Sequence, residues 1–399
     1  MSIHIFKGAT YTLIGNLSFA FSQWAILIII NKMGTTHDVG IFTLALAILN
    51  PIFMMAQGGL RSYIVIDTNR VFNFTTYFQL RVLFSILALV ISLLFVFKEN
   101  YLYSVLLLAL YKVFDNLFDI FYGEYQRKDT MKKIAISRTS RGLANLIFFL
   151  LSYILTKNLN IALLSYVLSS SIIFILYDYR NYNFKKEESY APTNVLKKLA
   201  ILSFPLAITA MLISLNTNLP RLFLENNSGL TELGAFGSFM YVITVAQIII
   251  QSICQAFTPK IAHAYNENRA DDFIKTVKLL MYFTIFISIV FCLFAILFKD
   301  IIFILIFNAE YKIFYSLYNN IIIISPFIFL CLVLGNINTA RRRIKYQPVI
   351  FLSILIINIP TSFILIKHLS ANGAVLSSLI VSILTIIILS IYSIKGREG

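Results

Sequence analysis

Three ionisable residues interrupt one apolar run. Lys112, Asp115 and Asp119 stand at i, i+3 and i+7 within residues 101–123, a spacing that places all three on one face of a helix. At membrane depth each such charge costs on the order of 2.5–3.5 kcal/mol on insertion scales, so the three must face protein or a water-filled cavity. Two acids with one base leave one formal negative charge. Either a cation from a neighbouring helix completes the set, or one carboxyl carries a proton. In the second case Asp115, the deeper acid, is the group that loads and unloads a proton, with Asp119 as a second ion-coupling candidate. Lys112 would then exchange between Asp115 and an anionic ligand. The plainer alternative is a permanent Lys112–Asp115 bridge that ties helices together.

Two further cations stand at the ends of apolar runs. Arg61 follows Gln57-Gly58-Gly59, and Arg221 follows Asn216, Asn218 and Pro220. With Lys112 they offer a set of positive groups that an anion such as a phosphate could use. Each also has a bland reading, as an interfacial anchor or a snorkelling side chain. Gln247, Gln251 and Gln255 repeat at i, i+4 and i+8, a stripe continued by Thr244 and Tyr241. Such amides could hydrogen-bond sugar hydroxyls or could tie helices together. Pro51, Pro205, Pro326 and Pro360 interrupt apolar runs; they free backbone carbonyls and permit bending, as gating hinges or as merely tolerated kinks.

Catalytic and metal chemistry find little support. His4, His37, His263 and His368 lie in tails or loops, and no nucleophile–base pair or paired carboxylates accompany them. Cys254, Cys292 and Cys331 fall in or beside apolar runs without CxxC or Cys/His spacing, which argues against a disulfide framework and against zinc. No cofactor, no metal site and no catalytic residue is expected.

The elements that position these groups follow from composition. Of 399 residues, 59% are hydrophobic and 13% charged, with a mean hydropathy of +0.82. A soluble domain carries about 25% charged residues, so the bilayer must solvate most of this chain. Twelve segments suit membrane helices of about 20 apolar residues: 9–30, 40–60, 82–97, 101–123, 142–156, 161–179, 200–222, 234–254, 279–298, 318–337, 349–366 and 373–394. The third and fifth are short, and their helices are expected to run on into the flanking polar residues. Residues 301–307 are too few to span and read as an interfacial extension of the ninth helix.

The net charge of +15 resides in the short segments between spans. It therefore reports topology and not nucleic-acid binding. With the amino terminus inside, 25 basic residues fall on the cytoplasmic side and 7 outside, with Lys112 the last of the 33. This bias sets both termini in the cytoplasm. Three parts follow: a six-helix bundle over 1–179, a charged linker over 180–199 and a second six-helix bundle over 200–399. A weak repeat supports the division. Asp38-Val39-Gly40-Ile41-Phe42 matches Glu232-Leu233-Gly234-Ala235-Phe236, and Gln57 and Gln251 each stand seventeen residues beyond their glycine. Parallel repeats of this kind are a common transporter plan, with substrate bound between the halves.

The layout, with Ser203-Phe204-Pro205-Leu206, Leu215-Asn216, Arg221, Glu232-Leu233-Gly234-Ala235-Phe236, Pro259-Lys260 and Gly123-Glu124-Tyr125-Gln126-Arg127, resembles the multidrug/oligosaccharidyl-lipid/polysaccharide exporter superfamily. Within it the likeness is to the Wzx-type polysaccharide flippases. The resemblance implies a MATE-like all-α membrane fold of about twelve transmembrane helices in two six-helix bundles. It also implies a bacterial plasma-membrane location and transport of an undecaprenyl-pyrophosphate-linked oligosaccharide by alternating access. Membrane lipids and polysaccharide-assembly proteins such as a polymerase would be its partners. Pro220 departs from the family, whose members often carry an acid just before the arginine. A cation-coupled multidrug antiporter of the same superfamily is the runner-up, and it would need membrane carboxylates free to bind cations. A polysaccharide polymerase or ligase is the competitor from another class, and it would need a large outer loop with catalytic groups.

Overall fold

A computed structural model describes residues 2–67, 71–96, 100–182, 191–267, 269–341 and 347–394. Among these the chain is helical almost throughout: α1 (Ser2–Met33), α2 (Thr36–Gln57), α3 (Leu60–Ile66), α4 (Phe74–Val96), α5 (Leu102–Arg127), α6 (Met131–Thr156), α7 (Leu159–Ile173), α8 (Thr193–Asn266), α9 (Ala270–Leu297), α10 (Lys299–Ile306), α11 (Tyr315–Ala340) and α12 (Gln347–Ile394). Helices are the form in which an apolar chain satisfies its own backbone in lipid. Nine helical stretches among the described residues are long and apolar enough to cross a membrane. Two of them, α8 and α12, break at Gly229 and Ser370 and are long enough to cross twice. With α5, which is long enough but too charged to qualify by composition, the described residues supply the twelve expected crossings.

Local chemistry explains the boundaries. Gly58 and Gly59 both adopt positive φ, 60° and 61°, which costs an L side chain energy, and there α2 gives way to α3. Asn158 caps α7 by accepting from the Asn160 and Ile161 amides. A π-helical turn, Phe174–Tyr179, prolongs α7. The prolines do not unwind their helices. Pro51, Pro205, Pro326 and Pro360 all lie within helix, and the non-helical residues of α8 and α12 are Gly229 and Ser370. Lipid-embedded helices tolerate proline because neighbouring groups re-satisfy the freed carbonyls.

Two compact units are distinguished. The first comprises residues 1–34 and 44–215, and the second comprises residues 35–43 and 216–399. In the first, α1 lies along α6, α6 along α7, and α4 and α3 against α5. An aromatic layer of Phe74, Phe121, Phe174 and Tyr182 closes one end, with Phe74 and Tyr182 centroids 4.2 Å apart. In the second, α9 and α12 pack on α11. The 301–307 run forms most of the short helix α10, separate from α9. Phe303 and Phe307 are buried against Phe239, 5.7 and 5.2 Å away, and eight residues are too few to span. The two repeat glycines also meet their reason here. A Cβ on Gly40 would overlap the Leu230 carbonyl, and one on Gly234 the Thr36 carbonyl.

Candidate functional site

The site is assembled in the first unit around one face of α5. The fourth and sixth helices begin earlier than their apolar runs, at Phe74 and Met131. Arg81, Arg138 and Arg141, which composition alone assigns to loops, therefore lie inside helices. Arg81 is fully buried and Arg141 nearly so, at 0% and 2% exposure. Both reach α5. Arg81 Nη2 donates to Asp119 Oδ2 at 3.0 Å, and Arg61 Nη1 from α3 donates to Asp119 Oδ1 at 3.1 Å. One carboxylate thus bridges two guanidinium groups. Arg141 Nη2 donates to Asp115 Oδ1 at 2.5 Å and to the Tyr111 hydroxyl at 2.9 Å.

Asp115 is therefore held by Arg141 from α6. No Lys112–Asp115 ion pair occurs among the described residues, so the permanent bridge within α5 is not the arrangement found. The reason is geometric. The Arg141 guanidinium is clamped between the Phe19 and Phe118 rings, 4.3 and 4.4 Å from their centroids. A planar guanidinium held by aromatic faces presents its donors in a fixed fork, which a flexible ammonium cannot match. Lys112 remains half-buried beside this pair. Cations from neighbouring helices complete the acidic pair, the first of the two alternatives that the spacing left open.

The balance of charge is the chief property of the cluster. Arg138 donates to Asn16 Oδ1 and stacks 5.0 Å over the Tyr122 ring, and both Lys112 and Arg138 lie within Coulombic reach of Asp115. Arg61, Arg81, Lys112, Arg138 and Arg141 face Asp115, Asp119 and, behind them, Asp178, leaving two formal positive charges with all three acids ionised. Arg81 Nε and Nη1 and Arg141 Nε are buried with no hydrogen-bond partner among the described residues. Buried donors of this kind are normally satisfied. Arg61, Asp115 and Asp119 keep 28%, 28% and 22% of their side chains accessible, whereas Arg81 and Arg141 are closed off. Behind it, Tyr122 shares a hydrogen bond with Ser137, which donates to Asp178 in the π-helical turn at 2.6 Å. Sequence reasoning missed Arg81, Arg138, Arg141 and Asp178. The available signal was the uncompensated acid of α5, which requires a partner on another helix.

The second unit holds the other expected residues. Arg221 Nη1 donates to Asn218 Oδ1 at 3.0 Å, and its buried Nε has no partner among the described residues. Asn216 instead ties α8 to α12. It donates to the Phe351 carbonyl at 2.9 Å and accepts from Asn358. Gln251 exchanges both amide hydrogen bonds with Asn336 of α11, at 3.3 and 3.1 Å, the interhelical use of an amide. Gln247 is half-buried on the same helix. The Gln255 side chain lies outside the described residues, as do Arg70, Lys98, Lys185, Lys186, Arg342, Arg343, Lys345, Lys395 and Arg397. Residues 183–190 of the expected linker do so too.

Known proteins resemble the chain in sequence and in fold. Residues 5–265 match the polysaccharide biosynthesis protein family, and residues 205–364 match the MatE family. A capsular polysaccharide biosynthesis protein of Staphylococcus aureus, CapF, is 31% identical over 386 residues, covering 93% of this chain and 94% of that protein. Among solved structures, an inward-facing multidrug resistance transporter of the MATE family, MOP superfamily, superposes with a TM-score of 0.78 at 11% identity, covering 96% of each chain. The MATE multidrug transporter DinF-BH superposes with a TM-score of 0.69 at 15% identity, covering all of this chain and 96% of that one. These likenesses establish the multi-pass, MATE-like helical fold. With a family match over most of its length and a full-length relative at this identity, the chain belongs to the polysaccharide biosynthesis protein family.

Proposed function

We propose that the protein is a flippase that moves an undecaprenyl-pyrophosphate-linked oligosaccharide from the inner to the outer leaflet of a bacterial plasma membrane, by alternating access, for surface polysaccharide synthesis. The observation that carries this reading is the excess of buried positive charge around α5, with guanidinium donors left unpaired. A cation-rich, low-dielectric site is what a pyrophosphate needs to leave water. Family membership supplies the sugar and its lipid carrier. The work is vectorial: the substrate crosses without a bond being made or broken, so no catalytic residue is assigned. The antiporter alternative would need free carboxylates, and both acids of this cluster are engaged by arginines.

In this proposal Arg61 and Lys112 contact phosphate in the first unit. Arg221, oriented by Asn218, contacts it in the second. Gln247 and Gln251, with Asn216, present amides to the sugars. Asp115 and Asp119 are the ion-coupling candidates, since protonation of either would release its arginine to the substrate. Both termini are cytoplasmic, the division into six-helix halves falls at 180–199, and polymerase and assembly proteins receive the product. Deletion of the protein tests the whole reading. Lipid-linked oligosaccharide should accumulate on the cytoplasmic leaflet, and wild-type chain supplied in trans should restore export. Normal export in the deletion strain would end it. Arg221→Ala should cut export at unchanged protein level, with Arg221→Lys less harmful; normal export from Arg221→Ala would reduce Arg221 to an anchor.

A further inference from the structure

Within the first unit, α2, α4 and the start of α8 enclose an apolar groove of about 640 Å³. Phe84, Leu87, Ala88 and Ile91 form its α4 wall, at i, i+3, i+4 and i+7, so one stripe of the helix faces it. Met55 and Phe204 belong to the opposing walls. The lining is carbon with a single hydroxyl, from Ser203, which is itself buried. Such a groove selects for hydrocarbon, and an ordinary bilayer lipid would satisfy it as far as apolarity goes.

Its surroundings favour a more particular occupant. Arg81 lies one helical turn before Phe84, on the same stripe of α4. On the α2 side the wall passes through Gly58 and Gly59 directly to Arg61. A Cβ on Gly58 would meet the Phe84 ring at 3.6 Å, and one on Gly59 would crowd Leu206 of α8 at 2.7 Å. Just beyond, the Tyr63 hydroxyl donates to the Leu202 carbonyl at 2.5 Å. The three walls therefore converge where the arginine pair on Asp119 begins. A hydrocarbon channel that ends at a surplus of positive charge is complementary to one kind of molecule, a long apolar chain joined to an anionic head.

We infer that this groove holds the isoprenoid chain of the lipid-linked substrate, with its pyrophosphate at Arg61. The inference rests on the flippase reading and extends it: the tail travels along the protein and not free in the bilayer.

Photo-crosslinking in living membranes tests this. A benzophenone side chain is placed at Leu87 or Phe204, which line the groove, and at Ile86, which is 51% exposed on the opposite side of α4. Positions 87 and 204 should capture polyprenyl-pyrophosphate oligosaccharide, identified by mass spectrometry, and position 86 should capture phospholipid. Leu87→Trp should lower export about ten-fold by filling the groove, while Ile86→Trp exports normally at equal protein level. If positions 87 and 204 capture only phospholipid in the proportion seen at 86, or if Leu87→Trp exports normally, the groove assignment is overturned and the flippase reading stands. Normal export in the deletion strain would remove both.

Discussion

At the scale of single residues, the cluster works as a set of exchangeable pairs. Arg141 has Asp115, Tyr111 and two aromatic rings; Asp119 has two arginines. Removing one partner of a buried pair strands the other charge and typically costs about 3–5 kcal/mol. Asp115→Ala should therefore lower thermal stability in detergent sharply, and adding Arg141→Met should recover most of the loss. Lys112→Ala should leave stability nearly unchanged while reducing export, because Lys112 shares no ion pair among the described residues. Equal stability losses from Lys112→Ala and Asp115→Ala would restore the bridge within α5. The sequence exposed Lys112, Asp115 and Asp119 because charge is conspicuous in an apolar run. It hid Arg81 and Arg141 because each stands at the polar edge of a run. Only the three-dimensional meeting of α4, α5 and α6 reveals that their partners lie on a different helix.

At the scale of elements, small residues decide where backbones touch. Gly40 of α2 and Gly234 of α8, the matched positions of the weak repeat, both stand at one backbone-to-backbone contact inside the second unit. Close helix approach of this kind is the main source of packing energy between helices in lipid. Gly40→Leu and Gly234→Leu should each destabilise the protein, by about 1–3 kcal/mol if neighbours can shift and more if they cannot. Gly335→Ala, with nothing within 4 Å of a new Cβ, should be neutral in the same melting assay. The span pattern was readable because twenty apolar residues leave few alternatives. The points where the backbone leaves helical geometry, Gly58–Gly59, Gly229 and Ser370, were harder to read, because a helix in lipid can run through proline.

At the scale of the whole molecule, topology is the property on which the transport proposal depends. Reporter fusions after Lys157 and Lys367 should read as external and those after Lys186 and Arg343 as internal, as the excess of basic residues in the cytoplasmic loops requires even without Arg81, Arg138 and Arg141. An internal signal at Lys367 would reverse the last helices and remove the proposed sidedness of the second unit. The short helix α10 matters here. Its eight residues pack on Phe239, and were it a span, every later loop would change sides. Hydropathy alone marks the 301–307 run as apolar; its length is too short to cross.

The charge on α5 also bears on how the chain is made. Leu102–Arg127 is the one long helix of the first six that fails the composition test for a membrane span. At about 2.5–3.5 kcal/mol for each of Lys112, Asp115 and Asp119 near the membrane centre, it cannot partition into lipid alone as it leaves the ribosome. Its neutralising partners arrive on both sides in synthesis: Arg61 and Arg81 precede it and Arg141 follows. Insertion of α5 must therefore be cooperative, waiting on α4 already in place and on α6 still to come. Chains truncated after Lys128 should give mixed orientation at that end and rapid proteolysis, whereas chains extended through Thr156 should settle into one orientation. The cluster that receives the anion would thus first serve as the lock that draws its own helix into the membrane.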